Sequence, residues 1–215
     1  MAKFWYILSH IFAITEATIP HRPVTAATSL SRPVNNTSNP INIYQNASSC
    51  CPGELGTGYV APWLIIPISQ SQPTTPFGTI YSPTITPNDL CTIFILAIPS
   101  SVGNKTCTLE FLFPEQDQLE TSSYHISGPG NFDFAGYIDA IEITPNTTWQ
   151  SQEGLGTHEL PPTNWQPGNK YVLYEGPCAL DAGNVVGGRV CSKDTSLDFF
   201  QDYNECPIGL WITLS

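Results

Sequence analysis

Basic residues are scarce in this 215-residue chain: 7 Lys and Arg stand against 18 Asp and Glu, a formal net charge of -11. Nucleic-acid recognition needs many cations to displace the counterions of phosphate, so no nucleic-acid partner is expected. Charge of either sign is thin, at 12% of residues, while there are 20 prolines and 16 glycines. Helical proteins usually cover their exposed faces with Glu and Lys, so this composition suits short strands and many turns. Beyond residue 17 no apolar run is long enough to span a bilayer as a helix. The G-x-S-x-G elbow, the H-E-x-x-H zinc motif and the phosphate loop are also missing. An acidic surface favours solubility, and suits an acidic medium or a polar, uncharged partner.

What is present begins with a leader. Lys3 gives a positive start, Phe4 to Ile14 is apolar apart from Ser9 and His10, and Thr15-Glu16-Ala17 offers small residues for cleavage. Residues 1–17 are therefore expected to be a secretory signal, with no membrane insertion once it is removed. Asn35, Asn36, Asn46, Asn104 and Asn146 each open an N-x-S/T acceptor, with room for only one glycan on the adjacent pair Asn35 and Asn36. Seven cysteines behind such a leader imply disulfides, and the odd one is left free, buried or intermolecular. The expected location is secreted, extracellular or in the cell wall.

Residues 18–57 are rich in Thr, Ser, Pro and Asn with little apolar periodicity. Such a stretch buries too little surface to offset its ordering entropy, and reads as an extended, glycosylated linker. It ends at Cys50-Cys51. Adjacent cysteines close on each other only with strain, so at least one is expected to reach the following domain.

Residues 58–215 carry strand patterns. Cys107, Leu109, Phe111 and Phe113 alternate with Thr108, Glu110 and Leu112, the period of a strand with one buried face, and Pro114 ends it. Tyr124-His125-Ile126 and Phe132-Asp133-Phe134 flank the turn at Ser127–Asn131. Tyr59–Ser69 is β-like but holds Pro62 and Pro67, which places it at an edge or bulge. Cys91–Ile98 is almost wholly apolar and reads as a central strand. Phe77–Tyr81, Gly136–Thr144, Lys170–Glu175, Val185–Cys191 (made irregular by Gly187-Gly188) and Leu210–Leu214 complete the strand set. Pro145–Gly168 has no clear period and reads as a long surface loop with room for one strand in it. Eight to ten short strands predict an all-β fold, a single antiparallel β-sandwich, with a closed barrel as the alternative. Cys107 near one strand's start and Cys178 just past another's end are placed to be joined.

Three ordered segments then carry a resemblance. T-C-T-L-E-F-L-F-P with Q-L-E-T-S-S-Y-H-I-S-G-P-G (106–130), P-G-N-K-Y-V (167–172) and L-D-F-F-Q-D-Y-N-E-C-P-I-G-L-W-I-T (197–213) together resemble the But-two C-terminal domain family, from about Tyr59 onward. The resemblance implies a β domain of a fungal secreted protein, extracellular or in the wall. The family takes its name from a protein that binds an activating enzyme for a ubiquitin-like modifier. It supplies no catalytic residues.

Candidate site residues come from the residues themselves. Trp149, Trp165 and Tyr203 lie in loop-like segments and could stack on sugar rings, or else cover the ends of the core. Trp63 and Trp211 lie in strand-like runs and read as structural. Asp198, Asp202, Asn204 and Glu205 could offer oxygens to calcium, but their spacing fits no EF-hand loop, and a turn network accounts for them. Carboxylate pairs for glycoside hydrolysis are Glu110 with Asp133, Asp139 with Glu142, and Asp198 with Asp202 or Glu205. His125 and His158 are isolated, and His21 would chelate copper only as a mature N-terminus. No metal or cofactor is therefore expected. The function expected is a secreted structural or binding module, acting on wall polysaccharide or a surface protein. The alternative is a hydrolase with a carboxylate pair.

Overall fold

The computed structural model describes residues 51–56, 58–178 and 182–215. One antiparallel sheet has the order β1 (Tyr59–Val60), β13 (Gly209–Leu214), β5 (Thr106–Phe113), β10 (Asn169–Pro177). A second runs β2 (Leu64–Ser69), β4 (Leu90–Ala97), β11 (Val185–Cys191), β7 (Asn131–Tyr137), β8 (Thr157–Glu159), with β9 (Thr163–Asn164) also on β7. A small third sheet, β3 (Thr84–Ile85), β12 (Ser196–Phe199), β6 (Tyr124–Ser127), adds to the same core. The fold is an antiparallel β-sandwich. Among the described residues no helix is long and apolar enough to cross a membrane.

The alternation in β5 places the core. Cys107, Leu109, Phe111 and Phe113 share one cluster with Phe94 and Leu96 of β4, Phe132 and Phe134 of β7, Val186 and Val190 of β11, and Leu210 and Ile212 of β13. A bulge between Val172 and Tyr174 of β10 lets Leu173 and Tyr174 both turn into that cluster. β4 is buried on both faces, which is why its sequence runs apolar without alternation: Ile93 and Ile95 belong to a second cluster with Ile66, Ile68, Ala140 and Ile143. That second cluster lies on the outer face of the β2–β8 sheet. The outer face of the other sheet carries a third, of Leu55, Leu112 and Trp211.

Three disulfides fasten these layers: Cys51–Cys206, Cys91–Cys191 and Cys107–Cys178. The seventh cysteine, Cys50, lies outside the described residues, as do residues 1–17, most of the 18–57 linker and the acceptors Asn35, Asn36 and Asn46. Asn104 and Asn146 are both exposed.

Cys51 reaches the domain, as expected of at least one of the adjacent pair, by bonding to Cys206, and Leu55 is buried. Several strand expectations need correction. Tyr59–Ser69 splits in two at Ala61-Pro62-Trp63, and Pro67 is tolerated because β2 is an edge strand. Trp63 therefore sits outside a strand and is 60% exposed, whereas Trp211 is buried in β13. Phe77–Tyr81 forms no strand; β3 comes later, at Thr84–Ile85. After Tyr137 the chain turns through a 3-10 segment, Ala140–Glu142, and forms no strand before Thr144. Gly187-Gly188 does not disrupt β11, which pairs with β4 in unbroken register from Val185 to Val190. Pro145–Gly168 holds a short helix, α1 (Trp149–Gln152), a 3-10 turn and two short strands, and it packs against the sheet.

Candidate binding site

Register decides which side chains share the outer face of the β2–β8 sheet. Arg189 of β11 lies opposite Ala135 of β7 on one side and Ile93 of β4 on the other; Ala135 in turn lies opposite Glu159 of β8. Two residues along, Asp133 of β7 lies opposite Cys191. Side chains two apart share a face, so this surface is apolar over β2 and β4 and charged over β11, β7 and β8. Ala140, Ile143, Trp149 and Leu155 cover the apolar part. Where that cover stops, a cleft of about 450 Å³ opens, lined by Trp149, Arg189, Glu159, Asp133, Asp89 and Lys193 among others, with Cys91 and Cys191 also in its wall.

Trp149 is positioned by the start of α1. Thr148 Oγ1 accepts from the Ser151 backbone N–H at 3.2 Å, and Ser151 Oγ accepts from the Thr148 N–H at 2.9 Å, a reciprocal cap. The indole Nε1 donates to Glu153 Oε1 at 3.1 Å. The Arg189 guanidinium stands 5.8 Å from the Trp149 ring centroid, within cation–π range. Its Nη1 donates to Gln152 Oε1 at 2.6 Å and its Nη2 to Glu159 Oε1 at 3.1 Å. Gln152 Oε1 also accepts from the buried Tyr137 hydroxyl at 2.9 Å. Burial pushes the Tyr137 phenol well above its usual range, so it remains a donor.

Asp89 closes one side. It accepts from Ser69 Oγ at 2.6 Å, the Ser71 N–H at 2.9 Å and Ser71 Oγ at 3.0 Å. The Ser69 hydroxyl bond leads the effects that hold this carboxyl below its ordinary value. Asn88 donates through Nδ2 to the Lys193 carbonyl at 2.9 Å, tying the two cleft loops together. Asp133 is half-buried, and among the described residues no side chain is bonded to its carboxylate.

The sequence candidates are dispersed. Trp149 lines the cleft. Trp165 does not: it is 1% exposed, stacked between Phe111 and Phe132 with centroids at 4.4 and 4.9 Å, and so cannot be a sugar platform. Asp202 is buried in a turn network, accepting from Thr121 Oγ1 at 2.6 Å and the Asn204 N–H at 3.2 Å. Asp198 is exposed on β12, opposite His125 and Thr84. Tyr203 is 67% exposed and lines a different cleft, of about 480 Å³, with Tyr59, Leu55 and the Cys51–Cys206 bridge. Among the described residues no group of three His, Cys, Asp or Glu is placed to hold a metal. The hydrolase pairs fare poorly. Glu110 is buried on the outer face of the β5 sheet, 3.3 Å from Lys170 Nζ, while Asp133 faces out from the opposite sheet. Asp139 and Glu142 are both exposed on one short turn.

Arg189, Glu159 and Asp89 escaped the sequence reading. One signal was there: Arg189 is the sole arginine after Arg32, set in an otherwise uncharged strand.

The family described as "Ubiquitin 3 binding protein But2 C-terminal domain" matches residues 60–205. The chain belongs to that family. The match runs from Val60 to Glu205 and so takes in every named residue of the Trp149–Arg189 cleft, which is part of the But2 domain itself; of the named residues of the second cleft it takes in Tyr203 but not Cys51, Leu55, Tyr59 or Cys206. No curated protein matches the chain. The printed description of the But2 family is that of a binding protein.

Proposed function

We propose that this chain is a secreted protein whose But2 sandwich serves as a binding module outside the plasma membrane, on wall polysaccharide or a surface protein. The observation that carries the reading is the set of three disulfides, which join residues 155, 100 and 71 positions apart. Such crosslinks persist in oxidising compartments and are rare in the cytosol. The leader-like residues 1–17 and the exposed acceptors Asn104 and Asn146 support the same reading. The words "ubiquitin 3 binding" in the family description favour a protein partner, but a cytosolic partner would meet this domain with its cysteines reduced.

Binding is favoured over hydrolysis on chemical grounds. A general acid needs a carboxyl whose pKa is raised. Asp89, one of the cleft carboxyls, is held below its ordinary value chiefly by the Ser69 hydroxyl, the opposite of what a general acid needs.

Protein collected from culture medium tests the reading. Its peptide map is expected to start near Thr18, with Asn104 or Asn146 glycosylated and the three disulfides found by mass spectrometry without reduction. Retention of Met1, or thiols that stay reduced in the natively localised protein, overturns it. A pull-down from cell-wall fractions with the same material then identifies the partner.

A further inference from the structure

We propose that the cleft between Trp149 and the Arg189–Asp133 strip binds a neutral oligosaccharide, a deepening that rests on the binding-module reading. Its lining discriminates between ligand classes. Asp89, Asp133 and Glu159 face an entering anion with three carboxylates, while Arg189 and Lys193 face an entering cation with two positive charges. Arg189 is already neutralised by Glu159 at 3.1 Å, so it offers no unpaired charge to a phosphate or uronate. A purely apolar ligand would take these polar groups out of water without replacing their hydrogen bonds, which is costly. A sugar chain satisfies the lining: hydroxyls donate to carboxylates and accept from the guanidinium and ammonium groups, and C–H faces lie against the exposed part of the indole.

The groups are also held before ligand arrives. Arg189 has two hydrogen bonds and the Trp149 ring, Asp89 has three hydrogen bonds, and Trp149 has a capped helix start and Glu153. Little side-chain entropy remains to be lost on binding, a saving that matters for ligands with modest contact area. Asp133 is the exception in having no side-chain partner among the described residues, which leaves it free to accept from a hydroxyl. The net charge of -11 also acts at longer range against acidic polysaccharide.

The full secreted chain is titrated with soluble β-1,3-glucan and chitin hexasaccharides, and with an oligogalacturonate of similar length as the charged control, by calorimetry and tryptophan fluorescence. A neutral hexasaccharide is expected to bind and the galacturonate not to. Trp149→Ala is expected to weaken binding by roughly tenfold or more and Asp133→Asn by roughly threefold or more, with far-UV dichroism and Tm checked for each. Asp133→Asn alters a half-buried polar side chain at constant size, so it decides the matter even if Trp149→Ala fails to fold. Trp165→Phe, in the core, is expected to leave affinity unchanged. Failure of every neutral oligosaccharide at millimolar concentration, binding unaffected by Asp133→Asn, or equal binding of the galacturonate overturns the proposal. A wall-protein partner captured by a chain that ignores all sugars would sink this inference alone and leave the binding-module reading standing.

Discussion

Trp165 lies flat against Phe111, their ring centroids 4.4 Å apart and their planes 15° from parallel. Its other neighbours are Phe132 at 4.9 Å and Tyr171 at 5.8 Å. The turn at 127–130 seats it: the Trp165 N–H donates to the Gly130 carbonyl at 2.7 Å, and Gly130 has φ of 90° with the Trp165 carbonyl where a Cβ would be. Only glycine fits there, which gives the Ser-Gly-Pro-Gly motif a structural purpose. Trp165→Ala is expected to cost about 3–5 kcal/mol in urea unfolding. Trp165→Phe should cost much less, because the buried indole N–H has no hydrogen-bond partner among the described residues to lose.

Gly188 sits between neighbouring strands with no room for a side chain. A methyl there would stand 2.5 Å from Phe134 Cζ and 2.7 Å from the Ala135 carbonyl oxygen. Gly188→Ala is expected to destabilise by about 1–3 kcal/mol through forced displacement of β7. Differential scanning calorimetry would register it as a lowered Tm with the sheet content unchanged.

Asp89 gives the domain an acid-side dependence. Its carboxyl is held below the ordinary value of 3.8, chiefly by the Ser69 hydroxyl. A depressed folded-state value means that the contribution is present above the unfolded value and is lost as pH falls through the folded one. Asp89→Asn is therefore expected to flatten the stability–pH curve below about pH 4, leaving a smaller gap from wild type in acid than at neutrality. Thermal melts from pH 2 to 7 check this, and a larger gap in acid would contradict it.

The Cys51–Cys206 bridge holds Leu55 over Leu112 and Trp211. Replacing both cysteines by serine removes a crosslink spanning 155 residues and is expected to cost about 2–5 kcal/mol. The local sign would be a red shift of Trp211 emission and protease cleavage near residues 51–58, before global unfolding.

The strands that were legible in the sequence are those whose pattern is set by burial of their own side chains. β5 alternates because one face is core and the other partly charged. β4 runs apolar because a covering segment buries its outer face as well. Trp149 and Trp165 were not separable, since both sit in a stretch without period and the difference between them is tertiary: one is taken into the aromatic stack, the other opens a short helix at the edge of a cleft. Arg189, Glu159 and Asp133 lie on three strands that meet only through sheet order, which no single stretch of sequence discloses. The two prolines near Trp63 marked an edge or bulge, but not that the chain would break there and leave the ring 60% exposed.

The piece of chain from Ala140 to Leu155 seals the oily half of one sheet and forms the rim of the cleft. Its contacts are made to strands that are complete without it. Substitutions there can therefore reshape the rim while the two sheets and their crosslinks carry on unchanged, so relatives of this domain can diverge around the cleft long before they diverge in fold.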